Sequence, residues 1–185
     1  TNTVTVVEGD VHVMRRIAGR GVFHGEAHVT DLLRDKLEDV LGRFERFGLP
    51  INFTENTFVS GQLVPAHLDD LNDFRYEDDA STPEGEEQQA KWIEEFYTAI
   101  FENHPQVTAI TNWDFNDGAW LNAPSGLVRR DGSVKPSYYA MKNLIKDKWT
   151  TKGTVTTDAN GYAEISGFKG EYTWENQNNK GQFVL

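Results

Sequence analysis

The pattern of apolar and polar positions changes period several times along the chain. Residues 3–7, Thr-Val-Thr-Val-Val, form a β-branched run bounded by Gly9-Asp10 and read as a strand. Val11–Arg20 has no clear period and fits a strand or a helical turn equally well. Gly21–Val29 reads as a second strand, after which Thr30 or Asp31 caps a helix reaching about Phe47. Leu33, Leu37, Val40, Leu41 and Phe44 recur at spacings of three and four and predict one apolar stripe on it. Gly48 ends the helix, Pro50 follows, and Ile51–Thr54 is predicted as a strand. Residues 59–83 form a long connection with acidic pairs at Asp69-Asp70 and Asp78-Asp79, including one helical turn near residues 66–74. From Pro83 the period is helical again, with Trp92, Ile93, Phe96, Ala99 and Ile100 on one face and Glu84, Glu86 and Glu87 in the first turn. His104-Pro105 stops this helix, Val107–Thr111 reads as a strand, and Pro136 opens a helix to about Trp149.

The order between residues 22 and 149 is therefore strand, helix, strand, helix, strand, helix. That order predicts an α/β architecture of parallel strands covered by helices. Three such strands are too few for a closed eight-stranded barrel, leaving a half barrel, an open sheet or a fragment completed by another chain. Residues 150–185 are rich in Thr, Gly and Asn, with short alternating runs and a hairpin signal at Asn160-Gly161. They are expected to form a small antiparallel appendage in which Phe168, Tyr172 and Trp174 are partly buried against the α/β part. The expected division is thus 1–149 and 150–185. Bare parallel edges attract other chains. Residues 1–21 are expected to add a strand, or self-association to cover the edge beside Val107–Thr111.

Composition narrows the function classes. The 185 residues carry 29 acidic against 18 basic side chains, a formal charge of −11. Such a balance argues against nucleic acid and anionic membrane as partners, since both require clustered cations. No cysteine is present, which excludes disulfides, thiolate metal sites and a cysteine nucleophile. No apolar run is long enough for a transmembrane helix. The start at Thr1, without Met, reads as a processed or excised end.

Chemistry in α/β folds collects at the carboxyl ends of strands. Three places meet that condition: Glu26 with His28, two apart and so on one strand face; Glu55-Asn56-Thr57; and Trp113-Asp114 with Asn116, Asp117 and Trp120 in the adjoining loop. Carboxylates, imidazole, amides and indoles together suit a carbohydrate, with the carboxylates placed for the glycosidic bond and indole faces for sugar C–H surfaces. Each has a plainer reading. Glu55 also serves as a capping or loop carboxylate, His28 beside Glu26 as a satisfied core pair, and Trp113 as packing. His24, Glu26 and His28 would converge on a metal, but neither HExxH nor an EF-hand pattern is present. P-loop, GxGxxG and GxSxG patterns are absent as well, and the Asn52-Phe53-Thr54 sequon falls in an apolar strand.

Gly48–Asn56, GLPINFTEN, resembles the glycoside hydrolase family 10 (endo-β-1,4-xylanase) segment that ends on the nucleophile glutamate, which the match places on Glu55. HPQVTAITNWDFNDGAWL is similar to the later family segment, aligning Trp113, Asp117, Gly118, Trp120 and Leu121 with its frame. SVKPSYYAM follows suit at Lys135, Pro136 and Tyr139. GEAHV is the weaker counterpart of a Gly-x-Gln-x-His segment, which carries a substrate-binding role to His28 and puts Glu26 in place of Gln. Two departures stand out: Asn56-Thr57 follows the glutamate instead of Leu-Asp, and Asp114 replaces a glycine.

The resemblance implies a partial (β/α)8 TIM-barrel-like unit holding the last strands of the barrel. It implies a retaining glycanase needing no cofactor or metal, with Glu55 catalytic and Glu26, His28, Trp113 and Trp120 binding a polysaccharide or oligosaccharide substrate outside the cytoplasm. The family's acid/base Glu precedes the His segment and has no counterpart here. A missing amino-terminal half, a partner fragment or a second copy is expected to supply it, and the chain alone is expected to be inactive. The rival expectation is a non-catalytic carbohydrate-binding or structural fragment.

Overall fold

The computed structural model describes residues 3–8, 29–61, 74–78 and 80–185, with 3–8 and 29–36 as backbone alone. The strand expected at 21–28, the segment 11–20 and the helical turn near 66–73 lie outside the described residues. Two compact units emerge. One contains the described residues from Val29 to Met141; the other joins strand β1 (Thr3–Glu8) to Lys142–Leu185.

In the first unit, α1 (Val29–Glu45) starts where the preceding strand was expected to end. Gly48, at φ 65°, turns the chain in the left-handed region that glycine tolerates, and β2 (Ile51–Asn56) follows. The helix α2 (Pro83–Asn103) opens on Thr82, whose Oγ1 accepts from Gly85 N at 3.0 Å, with Pro83 in the first turn. Its first-turn carboxylate Glu86 is buried, so the dipole is only part of its role. β3 (Val107–Asn112) lies parallel to β2, and these two strands make the parallel sheet among the described residues. Both helices share a core with this sheet, in which Leu37, Leu41 and Ile100 pack with Phe53 and Ile110. Phe96 meets Phe53 and Phe58 edge-on at 5.6 and 5.5 Å.

The α1 stripe is narrower than expected. Leu41 is 2% exposed, whereas Val40 is 37% and Phe44 57% exposed. Helix-to-sheet contact follows the line through residues 37 and 41, and the line through 40 and 44 lies one step around the helix.

The second unit is a four-stranded antiparallel sheet ordered β4-β1-β5-β6, with β4 at Lys152–Thr156, β5 at Glu171–Glu175 and β6 at Lys180–Val184. Thr3 pairs with Thr156 and Val6 with Trp174, so β1 is an inner strand of the tail sheet. The division at residue 149 therefore needs correcting: residues 3–8 group with the tail. Alternating β-branched residues specify a strand without naming its neighbour.

The Asn160-Gly161 turn is present, closed by Asp158 N–H to Tyr162 O at 2.8 Å, but no hairpin strands flank it. The hairpin is β5–β6, closed at Asn176–Asn179 by Asn176 N–H to Asn179 O. Tyr172, 1% exposed, stacks on Phe183 at 5.2 Å, and Trp174 is half-buried while Phe168 stays exposed. The last helix, α3 (Pro136–Asn143), runs into a π-helical turn at Leu144–Lys148 before reaching Trp149.

Candidate active site

The sheet register decides where Glu55 points. Phe53 pairs with Ile110 and Asn56 with Asn112, so Thr54 and Glu55 together stand against the single residue Thr111. One extra residue on one strand is a β-bulge, which re-aims the side chains beyond it. Before the bulge, Ile51 and Phe53 pack towards the helices, while Asn52 accepts from Thr108 Oγ1 at 2.8 Å. Beyond it, Asn56 is the residue that reaches α2, through Nδ2 to the Tyr97 hydroxyl at 3.4 Å. Glu55 is left exposed at the carboxyl end of β2. Burial of Tyr97 pushes its hydroxyl up to about 12, so it stays a neutral partner for Asn56.

Trp113 leaves β3 at the same end of the sheet. Its N–H donates to Asn56 O at 2.7 Å, so the residue after Glu55 is tied directly to it. Asn112 Nδ2 donates to the carbonyls of Trp113 at 3.1 Å and Asp114 at 3.3 Å. The indole is 43% exposed. Asp114 then turns the chain at φ 62°, a conformation costing a non-glycine residue about 1 kcal/mol. Its Oδ2 accepts from Ser125 Oγ at 2.6 Å. Burial raises the Asp114 carboxyl above the usual carboxylate range, and the charge of Asp117 adds to the effect.

The loop after Trp113 is held by buried polar groups. Lys135 Nζ, without solvent exposure, donates to Asp117 Oδ1 at 2.6 Å, Ser60 Oγ at 2.8 Å and Pro124 O at 3.2 Å. Burial pulls its ammonium below the ordinary lysine value despite Asp117. Asp117 Oδ1 also accepts from Gly126 N at 2.9 Å, and a Cβ on Gly126 would come within 2.4 Å of the Asn116 and Asp117 backbone. Gln89 Nε2 of α2 reaches the carbonyls of Phe58 at 2.6 Å and of Ser125 and Gly126 at 3.3 Å. Glu86 pairs with Arg129 through Oε1 at 2.8 Å and through Oε2. Burial opposes the Glu86 charge, but Arg129 and Ser81 outweigh it and hold the carboxyl below its usual range.

The structure thus brings Glu55 and Trp113 to one end of the sheet through adjacent strands. Trp120 is half-buried against the cluster that Ala123 of the same loop forms with Tyr76 of the connection before α2. Glu26 and His28 lie outside the described residues. Asn112 and Ser125 have positioning roles that sequence reasoning missed, while Asn56, singled out beside Glu55, binds Tyr97 of α2 and the Trp113 backbone. Asp117 and Lys135 stood on the aligned frame, but nothing in their spacing revealed a buried pair. Among the described residues, no cluster of three or more His, Asp or Glu side chains is placed to hold a metal ion, and no helix is long and apolar enough to cross a membrane.

Neither a protein-family model nor a curated protein matches the sequence. Among solved structures, the chain is similar to xylanase B from Clostridium stercorarium F9, at 22% identity over 58% of this chain and 32% of that one, with TM-score 0.47. A GH10 endoxylanase from a sugarcane soil metagenome gives 21% identity, 60% and 35% coverage and TM-score 0.48. Xylanase 10B from Thermotoga petrophila RKU-1, solved in complex with xylobiose, gives 24%, 64% and 32%, and TM-score 0.43. The chain spans about a third of the length of these structures.

Proposed function

We propose that the chain is the carboxyl-terminal part of a retaining, xylanase-like endo-β-1,4-glycanase, a partial (β/α)8 unit with a small β appendage, acting on polysaccharide outside the cytoplasm. The observation that carries this reading is the bulge that frees Glu55 from the helix side of β2, beside an exposed Trp113 tied to the neighbouring residue. The motifs around Glu55, Trp113 and Lys135 support it independently. In this reading Glu55 attacks the anomeric carbon as the bond to the leaving sugar breaks, giving a covalent glycosyl-enzyme. A second carboxyl group, about 5–5.5 Å from Glu55, protonates the leaving oxygen, then deprotonates a water that attacks the same carbon and releases Glu55. That group comes from a missing amino-terminal portion, a partner fragment or a second copy. Trp113 and Trp120 contact the sugar, with Glu26 and His28 completing the subsite, and no cofactor takes part.

The test uses the chain reassembled with an amino-terminal xylanase half. A 2-fluoro xyloside labels Glu55 in that assembly, whereas Glu55→Gln gives no labelling and no turnover of a chromogenic xylobioside. Labelling elsewhere, or full turnover by the Gln variant, rejects the assignment. Retained xylan binding with no turnover in any reassembly favours the non-catalytic carbohydrate-binding reading.

A further inference from the structure

We infer that Asp114 is a positioning residue for substrate, fixing the backbone that carries the Trp113 indole at the end of β3 through its own backbone turn and its bond to Ser125. The substrate half of this inference rests on the sugar-cleft reading above; the positioning half does not.

Two costs fall on the one residue Asp114. Asp114 holds a left-handed backbone at φ 62° that glycine would adopt freely. Its carboxyl is partly buried, where desolvation disfavours the charged form. A residue that only served the fold would be expected to relieve at least one of them. Strain retained beside a candidate site is instead a pointer to function.

What those costs secure is visible in the bonds. The Trp113 backbone is fixed through its N–H, which donates to Asn56 O at 2.7 Å, and through its carbonyl, which accepts from Asn112 Nδ2 at 3.1 Å. On its carboxyl-terminal side the chain is fixed by Asn112 Nδ2 on Asp114 O and by Ser125 Oγ on Asp114 Oδ2 at 2.6 Å. Ser125 is itself buried, and its carbonyl accepts from Gln89 Nε2 of α2. The Asp114–Ser125 bond therefore connects the backbone that carries the exposed indole to a fixed part of the unit. With the backbone held on both sides, a sugar-facing indole has only its side-chain torsions left to order on binding.

The experiment uses the full chain with fluorine-labelled tryptophan, melted alone and titrated with oligosaccharide after reassembly with an unlabelled amino-terminal xylanase half, the Trp113 signal being assigned by its absence in Trp113→Phe. Asp114→Gly keeps a backbone suited to φ 62° and removes the bond to Ser125. It is expected to melt at the wild-type temperature or above, to move the Trp113 signal while the other four tryptophans stay in place, and to weaken xylotetraose binding about tenfold. Asp114→Asn, which still accepts from Ser125 and tolerates the turn, is expected to keep both the signal and the affinity. Lower melting with all five signals displaced would mean a purely structural role and overturn the inference, as would an unmoved Trp113 signal in Asp114→Gly. A Trp113 signal that responds to Asp114→Gly but, in the reassembled wild type, to no oligosaccharide supports positioning, while overturning the sugar-cleft reading and the substrate half of the inference.

Discussion

At the scale of single residues, Lys135 shows how much of the candidate site rests on one buried charge. Its ammonium joins Asp117, Ser60 and Pro124, which belong to separate stretches of the loop region. Replacing a buried pair by apolar groups is often neutral, whereas removing one partner strands the other charge. Lys135→Met is therefore expected to cost about 3 kcal/mol in urea unfolding. The double variant Lys135→Met/Asp117→Leu is expected to recover a substantial part of that loss. Equal destabilisation by single and double variants would contradict the buried-pair account. The residue types of this pair were readable in the sequence and its burial was not, because a lysine and an aspartate 18 positions apart look like two surface charges until the fold closes over them.

Among the elements, the legible parts were those governed by period and punctuation. The helix α1, the Gly48 stop, β2 after Pro50 and the Pro83 start of α2 all follow from local chemistry, so their limits agree with expectation to within a few residues. The bulge at Thr54–Glu55 was not legible, because register belongs to a pair of strands and neither strand carries it alone. Without it, strict alternation would place Glu55 on the side of Phe53, facing the helices. The width of the α1 stripe was hidden for a similar reason, since Val40 and Phe44 share its period but lie off the line of contact. Leu41→Ala is expected to cost about 3 kcal/mol, as for a fully buried leucine. Phe44→Ser is expected to stay within about 0.5 kcal/mol of wild type. Thermal or urea unfolding of the two variants decides between them, and the reverse order would move the core line to residues 40 and 44.

Over the whole molecule, the two ends of the chain are parts of one sheet. β1 lies between β4 and β5, leaving β5–β6 as the hairpin that remains paired without it. Isolated two-stranded hairpins are marginal in water. Deleting residues 1–8 is therefore expected to make amide exchange fast throughout 152–156 and 171–184 while the amides of Ile93 and Ile100 in α2 stay protected. Slow exchange persisting in β4 after the deletion would show that this sheet does not depend on its inner strand. Nothing in the run Thr3–Val7 announces a partner so far along the chain, which is why the tail sheet was the least legible part of the fold.

That same inner strand has a consequence for biosynthesis. β1 leaves the ribosome roughly 150 residues ahead of β4, and at ~5–20 residues per second it waits on the order of 10 s for its first partner. Throughout that interval a β-branched run without its neighbours is open to pairing with other nascent chains. The described strands of the α/β unit, β2 and β3, complete their pairing once residue 112 has emerged, well before then. Slowed elongation after residue 112 would lengthen the wait of β1 and not that of β2 or β3, so the yield of soluble chain would depend on the speed at which residues 113–185 are translated.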